Sequence, residues 1–205
     1  MTNKNKNRFF KDIFEFVLDC VKACRIKTII ILVLMVIALI TGIIVAVRTK
    51  DSYSISDSFG VVDISSNGVN SSTFFTRLLS MLLVFAILLG SSYNNYTFAI
   101  GLIFLGYRAY LLGLNLCLMI VFYGFSGVVV SVIVAFPCQL LTLVVLSIFF
   151  ITMSRTFCDQ RNFGGCRMPK QKTKIIVSTL ICLLLLCLLE TILLALFSAK
   201  VILVI

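Results

Sequence analysis

The chain has 205 residues, of which 60 % are hydrophobic and 13 % charged, with 2 prolines and no histidine. Soluble chains are about 45–50 % apolar and about 25 % charged, so this composition, with a mean hydropathy of +1.14, excludes an ordinary soluble domain. The formal charge of +10 falls beside apolar runs, where basic residues orient a membrane protein and do not signal nucleic-acid binding. Lacking histidine, the chain also lacks the usual general base near neutral pH and the commonest metal ligand.

Residues 8–24 read as an amphipathic helix. Phe10, Ile13, Phe14, Val17, Val21 and Cys24 recur at helical spacing, with Lys11, Asp12, Glu15, Asp19 and Lys22 between them. Such a helix lies in the headgroup plane or packs on other cytoplasmic helix ends. Residues 1–27 form this basic N-terminal region, and residues 28–205 form the membrane domain.

The first predicted span, 28–47, is free of charge and flanked by Arg25, Lys27, Arg48 and Lys50. Twenty apolar residues suffice to cross about 30 Å of hydrocarbon, and the run is too long for a signal-peptide core. A polar loop, 49–73, follows. Further spans are predicted at 74–90, 97–123, 128–153 and 175–197, with a basic loop at 155–174. The fold class is thus all-α, a polytopic bundle of about five transmembrane helices. Gly124-Phe125-Ser126-Gly127 interrupts the pattern, leaving a re-entrant pair as the alternative within 97–153. Pro137 predicts a kink in the fourth span.

Loop charge sets the expected orientation. Residues 1–27 carry seven Lys/Arg and 155–174 carry six, against one lysine in 49–73. The positive-inside rule places the first two segments in the cytoplasm and the third outside, with the C-terminus outside. None of the eight cysteines lies in the outer loop, the opposite of a secreted disulfide scaffold. They read as small apolar residues, and the spacing of Cys20, Cys24, Cys158 and Cys166 is not that of zinc ligands. No metal or cofactor is expected.

Several residues stand out within the apolar runs. Arg108 sits roughly 16 Å into the third span at 1.5 Å per residue, flanked by Tyr107 and Tyr110. An ionised arginine there costs about 2.5–3.5 kcal/mol on insertion scales. It either makes a polar contact that fixes packing or a partner, or snorkels to headgroups. Glu190 is the sole carboxylate in an apolar run; it either pairs with Arg108 or hydrogen-bonds locally as the neutral acid. Arg77 is expected to snorkel from the outer end of the second span. Gly101, Gly106 and Gly113, with Gly124 and Gly127 beyond, suit close helix approach in lipid.

Gly124-Phe125-Ser126-Gly127 also fits the Gly-x-Ser-Gly pattern of rhomboid-type proteases, but that chemistry needs a histidine base. No zinc-protease helix motif, intramembrane aspartate pair or phosphate-cradling loop is present. The chain is read as non-enzymatic.

Three stretches in order carry a family resemblance. Leu105-Gly106-Tyr107-Arg108-Ala109-Tyr110-Leu111-Leu112-Gly113 resembles the Gly-aromatic-Arg-x-aromatic-x-Leu-Gly stretch of the clostridial form of stage II sporulation protein M. Tyr123-Gly124-Phe125-Ser126-Gly127 is similar to that family's Phe-Gly-Phe-x-Gly. Phe136-Pro137-Cys138-Gln139-Leu140 stands in the place of its Leu-Pro-Gln-Asn-Leu, and Glu190 looks like its late glutamate. The resemblance covers residues 74–197. The chain departs from the pattern at Cys138-Gln139, which leaves Gln139 as the lone amide after the proline, and in its long N-terminal extension. The resemblance implies about five spans and a non-enzymatic role in endospore engulfment. The chain would localise two peptidoglycan-degrading partners, stage II sporulation proteins D and P, at the septal membrane, with room for a homo-oligomer. It would also make Gly106, Tyr107, Arg108, Gly113, Gly124, Gly127, Pro137, Gln139 and Glu190 the partner-facing or packing residues. The rival expectations are a transporter or channel subunit, favoured by the broken helix, Pro137 and the buried charges, and an envelope-assembly relative outside sporulation.

Overall fold

A computed structural model describes residues 19, 22–49, 71–93, 95–130, 132, 136–163 and 169–201. Among them the fold is entirely helical: α1 (Arg25–Thr49), α2 (Ser71–Ser91), α3 (Asn95–Val130), α4 (Phe136–Phe163) and α5 (Pro169–Val201). Four stretches, Arg25–Arg48, Tyr96–Leu118, Phe136–Thr156 and Lys172–Leu193, are long and apolar enough to cross a membrane. The protein is therefore a multi-pass membrane helix bundle. In α2 a shorter apolar stretch, Arg77–Ser91, lies among the described residues. Most of the amphipathic segment 8–24 and of the polar loop lie outside the described residues.

Apolar side chains gain nothing by leaving lipid for other apolar side chains, so helices associate here by close packing and by polar contacts. The packing element is the parallel pair α1–α3. Leu34 meets Gly106, Leu39 meets Gly113, and Gly42 meets Tyr110 and Leu114, so contacts advance in the same direction along both helices. Further on, Ala46 packs with Leu114 and Leu118. Small residues recur four apart on both partners, at Gly42 and Ala46 and at Ala109 and Gly113, the spacing that brings backbones together in lipid. A Cβ on Gly42 would overlap the Tyr110 carbonyl oxygen, and one on Gly113 would overlap that of Leu39.

Helices α2 and α4 run against this pair. Near the start of α3, Phe98 stacks on Phe150 of α4 at a centroid distance of 4.6 Å, while Phe85 of α2 stacks on Phe149, also at 4.6 Å. At the same end Lys27 Nζ donates to Ser154 Oγ at 3.2 Å and lies 4.9 Å from the centroid of Phe98. The beginnings of α1 and α3 and the membrane end of α4 thus share one face. Hydroxyls on α4 are satisfied within the helix: the half-buried Thr142 and the buried Ser147, Thr152 and Thr156 each donate to the carbonyl four residues earlier. This keeps polar groups out of contact with hydrocarbon.

One helix boundary differs from the sequence reading. Helical structure continues through Gly124 to Val130, although Gly124 itself is non-helical at φ 56 and ψ −131. The chain breaks there because glycine alone adopts such a backbone without steric cost. Pro137 is the second residue of α4. Val132, five residues before it, is π-helical, and residues 133–135, where the expected kink would fall, lie outside the described residues.

Replacing Gly42 or Gly113 by alanine is expected to destabilise the bundle by about 1–3 kcal/mol through overpacking, read as a lower thermal midpoint in detergent. Gly90→Ala is the control, because a Cβ there meets nothing within 4 Å; equal midpoints for all three variants would disprove the close-packed seam.

Candidate functional site

The polar residues of the apolar runs converge between α2, α3, α4 and α5. Arg77 Nη1 lies 3.0 Å from Glu190 Oε1, and Gln139 Nε2 donates to the same oxygen at 3.1 Å. Arg77 and Gln139 lie early in α2 and α4, which run in one direction, and Glu190 lies late in α5, which runs back. All three therefore reach the same level, near the membrane face opposite Lys27. The contacting side chains retain 20 % exposure for Arg77 and 9 % for Glu190. Removing a buried carboxylate from water is costly unless it is paired and hydrogen-bonded, and here one oxygen receives both a guanidinium and an amide.

Arg108 takes a different partner. Its Nη2 donates to Ser80 Oγ at 2.6 Å, about one turn below Arg77 on α2. The Arg108–Glu190 ion pair, one of the two alternatives the sequence left open, does not form; Arg77 occupies that role and does not snorkel. Arg77 can do so because α2 begins beside the end of α5's apolar stretch, whereas Arg108 projects from the middle of α3. Arg108 and Glu190 nevertheless line one cavity of about 480 Å³, together with Arg77, Ser80, Asn115 and Gln139. On α3, Arg108, Leu111, Leu112 and Asn115 line it at successive helical spacings of three, one and three residues, a single stripe of the helix.

The remaining sequence-selected residues divide by face. Gly106 and Gly113 belong to the α1–α3 seam, where a Cβ on Gly106 would come within 2.7 Å of the Leu34 side chain. Tyr107 is 55 % exposed and forms part of the cavity rim. Gly124 forms the break in α3, Gly127 lies in the helical stretch beyond it, and Pro137 is the second residue of α4, two before Gln139; neither Gly124 nor Pro137 lines the cavity. Sequence reasoning missed Ser80, Asn115 and Thr142 as lining residues. Asn115 carried a legible signal, being an amide seven residues from Arg108 and so on the same helix face. Ser80 carried none, since a single serine in an apolar helix is common.

Among the described residues the cysteines Cys24, Cys117, Cys138, Cys182 and Cys187 are free thiols. The side chains of Cys20, Cys158 and Cys166 lie outside the described residues.

Comparison with family models, with curated proteins and with solved structures gives no match. The site therefore stands on its own geometry.

The three-way contact makes a quantitative prediction. Glu190→Leu alone should cost about 3–5 kcal/mol, the effect of stranding the partner of a buried pair. The double variant Arg77→Leu/Glu190→Leu should lose less than the sum of the single changes, with a coupling on the order of 0.5–3 kcal/mol in a double-mutant cycle. Strict additivity would show that the two side chains do not interact.

Proposed function

We propose that this protein is a non-enzymatic membrane scaffold that holds envelope-remodelling partners at a membrane. In its specific form it localises the peptidoglycan-degrading stage II sporulation proteins D and P during endospore engulfment. The specific form rests on the resemblance to stage II sporulation protein M. The observation that supports it best is that Arg108, Gln139 and Glu190, drawn from separate stretches of that resemblance, line one cavity. Two glycines of the same stretches, Gly106 and Gly113, pack on α1. A scaffold needs a rigid frame and a shaped surface, and the glycine seam and the charged cluster supply these.

The proposed orientation follows loop charge, with the N-terminus and the 155–174 loop in the cytoplasm and the C-terminus outside. The end that gathers Lys27 and Ser154 would then face the cytoplasm, and the Arg77–Glu190 contact would lie toward the wall. A tag fused after Ile205 should react with a membrane-impermeant label on intact cells. Labelling only after lysis would refute the five-crossing arrangement.

Recruitment is tested by gentle detergent pull-down from cells forming spores. Wall hydrolases should accompany the wild-type chain, and Arg108→Leu should recover several-fold less of them at equal membrane abundance. Undiminished recovery in that variant would remove Arg108 from the docking role, and absence of hydrolases from the wild-type pull-down would end the scaffold reading.

The cavity itself favours a second reading, transport of an anionic solute, because buried charge in a space between helices is a feature of transporter binding sites. The purified chain in liposomes should give no anion flux above empty vesicles if it is a scaffold alone.

A further inference from the structure

We propose that the cavity between α2, α3, α4 and α5 is a binding site for the phosphate of an anionic glycerophospholipid, with Arg108 as the phosphate ligand. A volume of about 480 Å³ is that of a ligand site, not of a packing defect, since small-molecule sites span about 300–1,000 Å³. Its charge is unbalanced: two guanidiniums, Arg77 and Arg108, face one carboxylate, Glu190, which leaves one positive charge in excess. Glu190 is engaged by Arg77 and Gln139. Arg108 has one hydroxyl, that of Ser80, and among the described residues no carboxylate within ion-pair distance.

A guanidinium offers five N–H donors in a planar fork. Ser80 takes a contact from Nη2, and the rest of the fork suits the two oxygens of a phosphate, a bidentate and charge-assisted contact. Bound there, the anion would offset the cost of holding an arginine within the apolar part of α3.

Asn115, seven residues beyond Arg108 and about 10 Å along the helix, adds an amide side chain to the wall.

The remaining wall is apolar and selects a lipid over a soluble ion. Met81, Leu83, Val84, Phe104, Leu143 and Leu146 contribute to it. At its rim Leu83 and Tyr107, each 55 % exposed, stand on adjacent helices α2 and α3 and face outward, which is where an alkyl chain would enter from the bilayer. A phosphatidylglycerol combines the required parts: a single negative phosphate and acyl chains. This proposal does not rest on the scaffold reading, since lipid retention is measured without any hydrolase.

The test uses the full chain purified in neutral detergent, exposed to equal amounts of phosphatidylglycerol and phosphatidylcholine and analysed by native mass spectrometry. Wild type should retain phosphatidylglycerol preferentially. Arg108→Gln should lower that retention about tenfold, the effect of removing a charge-assisted hydrogen bond, while Arg48→Gln, a charge change outside the cavity, should not. Leu83→Trp, which fills the entrance and leaves Arg108 in place, should also lower it, so the proposal stays testable if Arg108→Gln does not fold. A parallel arm measures thermal stabilisation by glycerol 3-phosphate and inorganic phosphate in the absence of lipid. Stabilisation by these ions without lipid retention would show a small-anion site and overturn the lipid assignment. Equal retention of both lipids, or equal losses in Arg108→Gln and Arg48→Gln, would overturn the site altogether.

Discussion

Hydrocarbon does not solvate charge, so each ionised group placed inside the bundle has to find its partner in the protein. Glu190 illustrates the constraint most directly. Its Oε1 receives Arg77 at 3.0 Å and Gln139 at 3.1 Å, which binds α2, α4 and α5 at one level near a membrane face. The contact is directional where the surrounding apolar packing is not, and it therefore specifies how far each of the three helices is displaced along its axis. An apolar replacement of the trio could pack as well but would fix no such level.

The seam between α1 and α3 complements it. There the determinants are absences of side chain: Gly42, Gly106 and Gly113 let backbone atoms meet where a methyl group would collide. Dispersion between closely approaching backbones substitutes for the solvent-driven burial that lipid cannot provide. Because α3 belongs to both systems, one face of it carries Gly106, Ala109 and Gly113 and another carries Arg108 and Asn115. Helix α3 is thus the element through which the glycine seam holds the cavity wall in position.

Legibility in the sequence followed the physics of each feature. The helices were readable because apolar runs of about 20 residues have few stable alternatives in lipid. The break at Gly124 was readable from the Gly-Phe-Ser-Gly interruption, and the glycines of the third span from their small size. Arg108 and Glu190 were recognisable as anomalies for the same reason, since each is a charge in an apolar run. Their partners were not. Arg77 lies near a helix end, where a long basic side chain ordinarily reaches headgroups, and only the level of α5 beside α2 draws it inward.

The amino-acid sequence by itself determined that this chain is a membrane helix bundle and which of its residues carry a cost that must be met, because cost in hydrocarbon is a property of the single residue and its neighbours along the chain. The tertiary structure decided who meets it. Ser80 answers Arg108, Arg77 and Gln139 answer Glu190, and the buried Oδ1 of Asn115 has no partner. Those assignments depend on the rotation and axial shift of one helix against another, and these are set by contacts such as Arg77 with Glu190, 113 positions apart, a separation that no local pattern encodes.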